Sequence, residues 1–295
     1  MSTVSELLGS KYPLIQGAMG VISNPEFVAA VSDAGGYGLL ATAFATDVET
    51  VRSQVRETKA LTDRPFGANL HAMNPLAMQF AQVLAEEGTR AVTVSGGSPK
   101  ALIPFFREQG IGVMVVVPTV DVAVKAEALG ADAIVAEGTE SGGMQGFRGA
   151  STMVLVPAVV DAVKIPVIAA GGIGDSRGYK AALALGAQGV QVGTRFIASK
   201  ECIAHANYKN TIVDLPETGT AILNLGRFRL RSLRTPLVNT LLEQDTVDME
   251  IFAGPALEAS WIKGDLEAGV LPAGQVAGLV HGIPSVKEIV EEMVG

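Results

Sequence analysis

The chain has one cysteine, Cys202, which excludes an internal disulfide and a zinc site built from cysteines. Positive charge is short: 22 Lys and Arg stand against 30 Asp and Glu, a formal net charge of −8. Nucleic acid and anionic membranes call for a basic footprint, so neither is an expected partner. No apolar run reaches the roughly 18 residues of a membrane span. The opening MSTVSELLGS has no basic stretch followed by an apolar run, so no signal peptide is expected and a cytoplasmic protein is. Two phosphate-binding motifs are absent as well. GGIGDSRG, from Gly171, does not fit G-x-G-x-x-G, and no G-x-x-x-x-G-K-[ST] occurs. Aromatic residues make up 5%.

Glycine, at 34 residues, and apolar side chains, at 48%, are abundant. Short apolar runs recur along the chain: Pro13–Gln16, Gly38–Ala41, Phe66–Leu70, Ala91–Ser95, Gly112–Val117, Ala133–Glu137, Pro166–Ala170 and Gly189–Gly193. Their spacing of roughly 20–30 residues suits a strand plus a crossover helix. Runs such as VMVVV are continuously apolar, as when both faces of a parallel sheet are buried. Helical patterns lie between them at Pro25–Ala34, Val48–Lys59, Pro75–Glu87, Val120–Leu129, Thr152–Val163 and Arg177–Leu185. Asn24, Asp47 and Asn74 stand where N-caps belong, and Gly130 and Gly186 where helices end.

Eight such units predict an α/β fold, a TIM (β/α)8 barrel with a C-terminal capping segment. The rival is an open doubly wound sheet, which usually has fewer strands and a reversal in strand order. Lys200–Tyr208 reads as the final barrel helix, and Leu257–Gly264 and Ala273–Val280 as helices returning to the barrel. The expected barrel covers 1–210 and 250–295, with 211–249 an inserted capping or lid segment rather than an independent domain. That segment carries Arg227, Arg229, Arg231 and Arg234, which read as a solvated face. The alternative is a grip on an anionic substrate or cofactor tail.

The strand ends carry the chemistry. AAGGIGD follows the seventh strand and QVGTRF the eighth, placing Gly172 and Gly193 one unit apart. Adjacent glycine-rich ends let backbone N–H groups approach a phosphate, and Thr194 adds a hydroxyl. QGAMG, from Gln16 to Gly20, leaves room for a flat ring at the first strand end. Asn69 ends the third strand with an amide, Ser95, Gly96 and Gly97 follow the fourth, and Glu137 ends the sixth. A broad ring with a phosphate tail fits these groups, and flavin mononucleotide is such a ligand. Otherwise Glu137 is a salt-bridge partner, and a barrel enzyme for a phosphorylated metabolite remains the alternative without flavin.

The ordered segments IQGAM, FGANL, AEGTESGG, PVIAAGGI and QVGTRF resemble the nitronate monooxygenase / enoyl-acyl-carrier-protein reductase II family of FMN-dependent barrels. The resemblance runs from about Tyr12 to the C-terminus, and KECIAHANY, Lys200–Tyr208, also resembles a family segment. The tail WIKGDLEAGVLPAGQVAGLV is similar to the enoyl reductase branch. The resemblance implies that Gly17, Ala18, Met19 and Asn69 contact the isoalloxazine or ribityl part. Glu137 would lie near the ribityl hydroxyls or ring, with Gly142 and Gly143 approaching from the sixth loop. Gly172, Gly193 and Thr194 would hold the phosphate, and Gln275 would close the site.

One position departs from the family. Its sixth loop reads E-A-G-G-H, with the His as catalytic acid or base, whereas this chain reads ESGGM. Met144 stands at the His position and Ser141 at the Ala. A thioether has no titratable proton, and losing a positioned acid or base forfeits roughly 10²–10⁴-fold in rate. Flavin binding is therefore expected to survive, and the substrate half-reaction is where this chain differs. His71, just past Asn69, is the candidate replacement. His205 reads as structural and His281 as a surface residue. Cys202 and His205 lack further ligands, so no metal is expected.

The expected function is an FMN-dependent oxidoreductase passing hydride from NAD(P)H through flavin to an electrophilic acceptor, an enoyl thioester first. The alternatives are a nitronate monooxygenase and a flavin-binding protein with little turnover. A small-molecule or acyl-thioester substrate and a homodimer are the expected partners.

Overall fold

The computed structural model describes residues 3–146 and 148–295. Eight parallel strands form a barrel: β1 Leu14–Gln16, β2 Leu39–Ala41, β3 Gly67–His71, β4 Ala91–Ser95, β5 Gly112–Val117, β6 Ala133–Glu137, β8 Val167–Ala170 and β9 Gly189–Val192. Three shorter strands, β7 Gly143–Gln145, β10 Thr220–Asn224 and β11 Arg229–Leu233, make a separate sheet in the order β10-β11-β7. Around the barrel the order is β1-β9-β8-β6-β5-β4-β3-β2. The seam between β1 and β2 is closed at Tyr37, whose N–H donates to the Leu14 carbonyl at 2.8 Å, and Gln16 N–H returns the bond to Tyr37 at 3.0 Å. The buried Gln16 side chain reinforces the seam by accepting from Leu39 N–H at 3.0 Å. The order contains no reversal, so the doubly wound alternative fails.

Strand side chains alternate between two environments. One set, with Leu14, Leu40, Val92 and Val113 in it, faces the helices and forms the large core together with helix residues such as Val28, Phe80 and Val156. The other set fills the barrel interior with Ile15, Leu39, Ala91, Met114, Val135 and Ile168. Tyr37 crosses that interior, donating its hydroxyl to the Ala91 carbonyl at 2.8 Å and accepting from Ala91 N–H at 3.0 Å. The bottom is stopped by the helix Val4–Leu8, which Thr3 caps in a capping box. Its Val4 and Leu8 join the interior cluster. A Cβ on Gly112 would lie 2.6 Å from Leu7 Cδ1, so the Leu7 side chain packs directly against this glycine.

Two helical expectations need correction. Residues 200–208 are not the last barrel helix: His205 Nδ1 accepts from Asn207 N–H at 3.1 Å, so the helix starts only at Ala206 and runs to Asp214. The closing position belongs to Val286–Val294, which packs between Pro25–Asp33 and Ser176–Ala184. Likewise the expected helix from Pro75 begins at Ala77, because Asn74 Oδ1 accepts from Leu76 N–H at 2.8 Å and holds a turn first. The returning segments are irregular, with a π-helical turn over Glu258–Ile262 and a 3-10 turn over Gln275–Leu279.

Candidate active site

The interior columns change character toward their C-terminal ends. On β3 the inward residues run Gly67, Asn69, His71; on β4 Ala91, Thr93, Ser95; on β6 Ala133, Val135, Glu137. Apolar or small residues fill the lower layers and polar residues the top. Above them opens a cavity of about 670 Å³. This is the face where barrel enzymes place their chemistry. Gly17, Ala18, Met19, Asn69, Glu137, Gly142, Gly143, Gly172, Gly193 and Thr194 line it, and so do His71 and Met144.

Gln275 does not. Its side chain is exposed, because the 3-10 turn that starts there directs Val276 and Ala277 inward instead. What Gln275 contributes is backbone: its N–H donates to the Glu140 carbonyl at 2.9 Å. Gly274 supplies a second tie, donating to Thr194 Oγ1 at 2.8 Å. The C-terminal segment is thus bonded to both the sixth and the eighth strand ends. It packs so closely that a Cβ on Gly142 would lie 2.5 Å from the Ala273 carbonyl carbon.

Asn69 is held rather than free. Thr93 Oγ1 donates to its carbonyl oxygen at 2.9 Å, and its amide donates to Ser95 Oγ at 3.1 Å. At the seventh strand end, Gly171 and Gly172 have φ of +94° and +74°, conformations that favour glycine. The helix that follows, Ser176–Ala184, is capped by Asp175, which accepts from Arg177 and Gly178 N–H groups. Its positive end is therefore already served by a carboxylate, and an anion at this face would meet the Gly172 and Gly193 loops instead.

Sequence reasoning missed Gln191, the one polar residue of β9. It lines the cavity, and its Oε1 is buried with no hydrogen-bond partner among the described residues. An orphaned acceptor on a cavity wall suits a ligand that brings an N–H or O–H donor. The signal was present in GVQV: a single amide inside an otherwise apolar strand. Glu140 was missed too. Its carboxylate accepts from Thr152 N–H at 2.8 Å and from Thr152 Oγ1 at 3.1 Å, so it caps the helix Thr152–Ala162 from the sixth loop.

The sixth loop forms the opposite wall. Burial pushes the Glu137 carboxyl up to about 7, with a hydrogen bond from Ser141 as a smaller opposing influence. Glu137 enters no ion pair among the described residues, so its salt-bridge reading is set aside. Ser141 is itself fixed by Gln145, whose Nε2 donates to Ser141 Oγ at 3.0 Å and to its carbonyl at 2.6 Å. Burial also lowers the His71 imidazole from its ordinary value.

Met144 lies at the centre of β7, opposite Leu230 of β11. It touches both the cavity and the apolar cluster of Leu223, Leu230, Val238 and Val270. Arg231 anchors the same junction. It is buried, and its Nε and Nη2 donate to the Thr139 carbonyl at 3.1 and 2.9 Å while Nη1 donates to Thr220 Oγ1 at 3.0 Å. The solvated-face expectation fits the exposed Arg227, Arg229 and Arg234 but not Arg231, which is buried and donates to Thr139 and Thr220. Beyond this junction the cavity wall is aromatic. Phe44 meets Phe252 edge-on at 5.8 Å between centroids, and Phe252 meets Trp261 at 6.1 Å.

A sequence model of the nitronate monooxygenase family matches residues 1–95 and 79–295. The chain belongs to that family. It is 33% identical to a (3aS,4S,5R,7aS)-5-hydroxy-7a-methyl-1-oxo-octahydro-1H-indene-4-carboxyl-CoA dehydrogenase of Rhodococcus jostii, over 99% of this chain and 94% of the relative. It is 31% identical to a nitronate monooxygenase of Pseudomonas aeruginosa, over 99% of each. Among solved structures, FabK from Thermotoga maritima superposes with a TM-score of 0.91 at 39% identity, covering 99% of this chain and 95% of that one. The chain is an oxidoreductase of a flavin-dependent family, built on the barrel its sequence implies. No helix among the described residues is long and apolar enough to cross a membrane.

Proposed function

We propose that the chain is an FMN-dependent oxidoreductase that uses NAD(P)H to reduce an enoyl thioester. Bound FMN would supply the two-electron relay between nicotinamide and acceptor. Gly17, Ala18, Met19 and Asn69 would line the ring and ribityl part, with Gln191 offering its unpaired oxygen to a donor. Gly142 and Gly143 would approach from the sixth loop, and Gly172, Gly193 and Thr194 would meet the phosphate.

The observation that carries the thioester reading is the aromatic wall of Phe44, Phe252 and Trp261, continuous with the polar cradle in one cavity. An acyl chain covers such a surface; a nitronate of a few atoms leaves it bare, and apolar area kept from water is worth about 25 cal/mol per Å². Two of the relatives point the same way, one named for a carboxyl-CoA substrate and one named FabK. Nitronate oxidation is the second reading, favoured by the family's name and by the Pseudomonas aeruginosa relative. The thioether at Met144 weighs against it, because that chemistry wants a positioned acid or base.

The test is spectroscopic. The purified protein, loaded with FMN, is titrated anaerobically with NADH and NADPH, then mixed with crotonyl-CoA or with an alkyl nitronate. Bleaching by a nicotinamide and recolouring by the thioester is the expected result. Bleaching by the nitronate, with little oxidation of either nicotinamide, would transfer the assignment to the second reading.

A further inference from the structure

We propose that Glu137 is the catalytic acid of this chain, delivering a proton to the α-carbon of the unsaturated thioester. The proposal rests on the thioester reading above. Four ionisable side chains line the cavity among the described residues: His71, Glu137, Arg148 and Tyr208. Tyr208 is fully buried, and its hydroxyl donates to the Pro272 carbonyl at 2.6 Å. A guanidinium offers no usable acid in this range. His71 and Glu137 remain.

Topology separates these two. Glu137 ends β6 on the cavity wall, at the root of the loop that carries Ser141 and Met144 along the same wall. His71 ends β3, and β4 and β5 intervene in the sheet order. The immediate surroundings point the same way. Among the described residues Glu137 has no ion-pair partner to hold it ionised, and the hydrogen bond from Ser141, which favours the carboxylate, is outweighed by burial. Burial pushes the carboxyl to about 7, so a large share carries a proton at neutral pH. Burial lowers His71, which favours the neutral imidazole over the imidazolium acid.

Bound FMN would supply two electrons and one hydrogen to the β-carbon, drawn from NAD(P)H, which is oxidised. The carbon–carbon π bond breaks, and the α-carbon takes the proton from the Glu137 O–H. Glu137 is left as a carboxylate and regains its proton from water before the next turnover.

The experiment uses the full-length FMN-loaded protein, with flavin reduction and reoxidation timed separately. In Glu137→Gln, NAD(P)H should bleach the flavin as in the wild type, while reoxidation by crotonyl-CoA slows about 10²–10⁴-fold. In the wild type that reoxidation should fall as pH rises through about 7, and in Glu137→Gln this limb should vanish. His71→Gln should lose less and keep the limb. Glu137→Asp retains a carboxyl and should give an intermediate rate. Reoxidation of Glu137→Gln within threefold of the wild type, or transfer of the loss and the limb to His71→Gln, overturns the proposal. So does loss of flavin from both Glu137 variants, which would make the residue a binding group.

Melting of the full chain gives a readout independent of turnover. A carboxyl raised in the folded state adds stability that is complete below its unfolded value, near 4.5, and is lost as pH rises through about 7. Glu137→Gln should therefore gain on the wild type across that window. A flat difference overturns the assignment of Glu137 alone. A wild-type flavin that NAD(P)H bleaches and crotonyl-CoA never recolours overturns the thioester reading itself.

Discussion

The two walls of the cavity are built on different plans. One is made by the ends of β1, β8 and β9, where glycines and Gln191 bring backbone and one amide to the ligand side. The other is made by Glu137 at the end of β6 and by the loop that follows, which carries Ser141 and Met144 and continues as a strand of the small sheet. The first wall belongs wholly to the barrel. The second is shared with the β10–β11 hairpin, through the ladder from β7 to β11 and through Arg231. The contrast separates two demands. A cofactor common to many reactions needs a fixed cradle, whereas the reacting end of a substrate needs a wall that differs from one enzyme to the next.

The strongest way to break the contrast is to push the second wall off the first. In Gly142→Ala the new Cβ meets the backbone of Ala273 at 2.5 Å, and backbone has little room to yield. Overpacking of this kind costs about 1–3 kcal/mol. The C-terminal segment is also tied to Thr194, so flavin retention should fall together with stability. Flavin absorbance after gel filtration, with a thermal melt, checks both. A variant that keeps its flavin and its melting temperature would show the two walls to be independent.

Arg231→Met comes next. It leaves the Thr139 carbonyl without its two charged donors, at a cost of roughly 1.5–3 kcal/mol. The glycine wall is untouched, so FMN should stay bound while reoxidation by a thioester slows. A loss of FMN equal to the loss of stability would place the hairpin in the cradle as well.

Met144→His sharpens the comparison from inside. Met144 packs on the hairpin's apolar cluster, and a polar ring there should cost about 1 kcal/mol. With the proton supplied by Glu137, the new imidazole should bring no gain in thioester reduction. An increase of tenfold or more would return the proton to position 144.

How far the sequence carried this picture follows from the same division. All eight barrel strands were legible, since continuous apolar runs between glycines have few other readings. Ends bound by a single signal drifted: the Asn74 cap was right in chemistry but held a turn before the helix. The helix Leu102–Glu108 passed unnoticed, having no side-chain cap at its N-terminus. The cavity-lining glycines at the ends of β8 and β9 were legible because Gly172 and Gly193 stand one βα unit apart. Buried Arg231 looked like its exposed neighbours Arg229 and Arg227 because all three share one parity in RFRLRSL, and only the contact with the distant Thr139 carbonyl sets Arg231 apart. Pairing across distant segments is what periodicity within one segment cannot report.

The smallest effect is the most exacting test of how the cavity is closed. The Gln275 side chain is exposed, and only its N–H is used, on the Glu140 carbonyl. Gln275→Ala keeps that N–H, so flavin affinity and turnover should change less than about twofold, as for an ordinary surface substitution. Gln275→Pro removes the N–H and little else. The residue is the first of its 3-10 turn, a position whose φ proline suits, and Gly274 before it is extended, as proline requires of its predecessor. Losing this one bond should cost roughly 0.5–1.5 kcal/mol. A melt and an FMN titration on the pair would read it directly. Should Ala cost as much as Pro, the side chain closes the site after all. Should neither cost anything, the tie through Gly274 and Thr194 alone holds the segment in place.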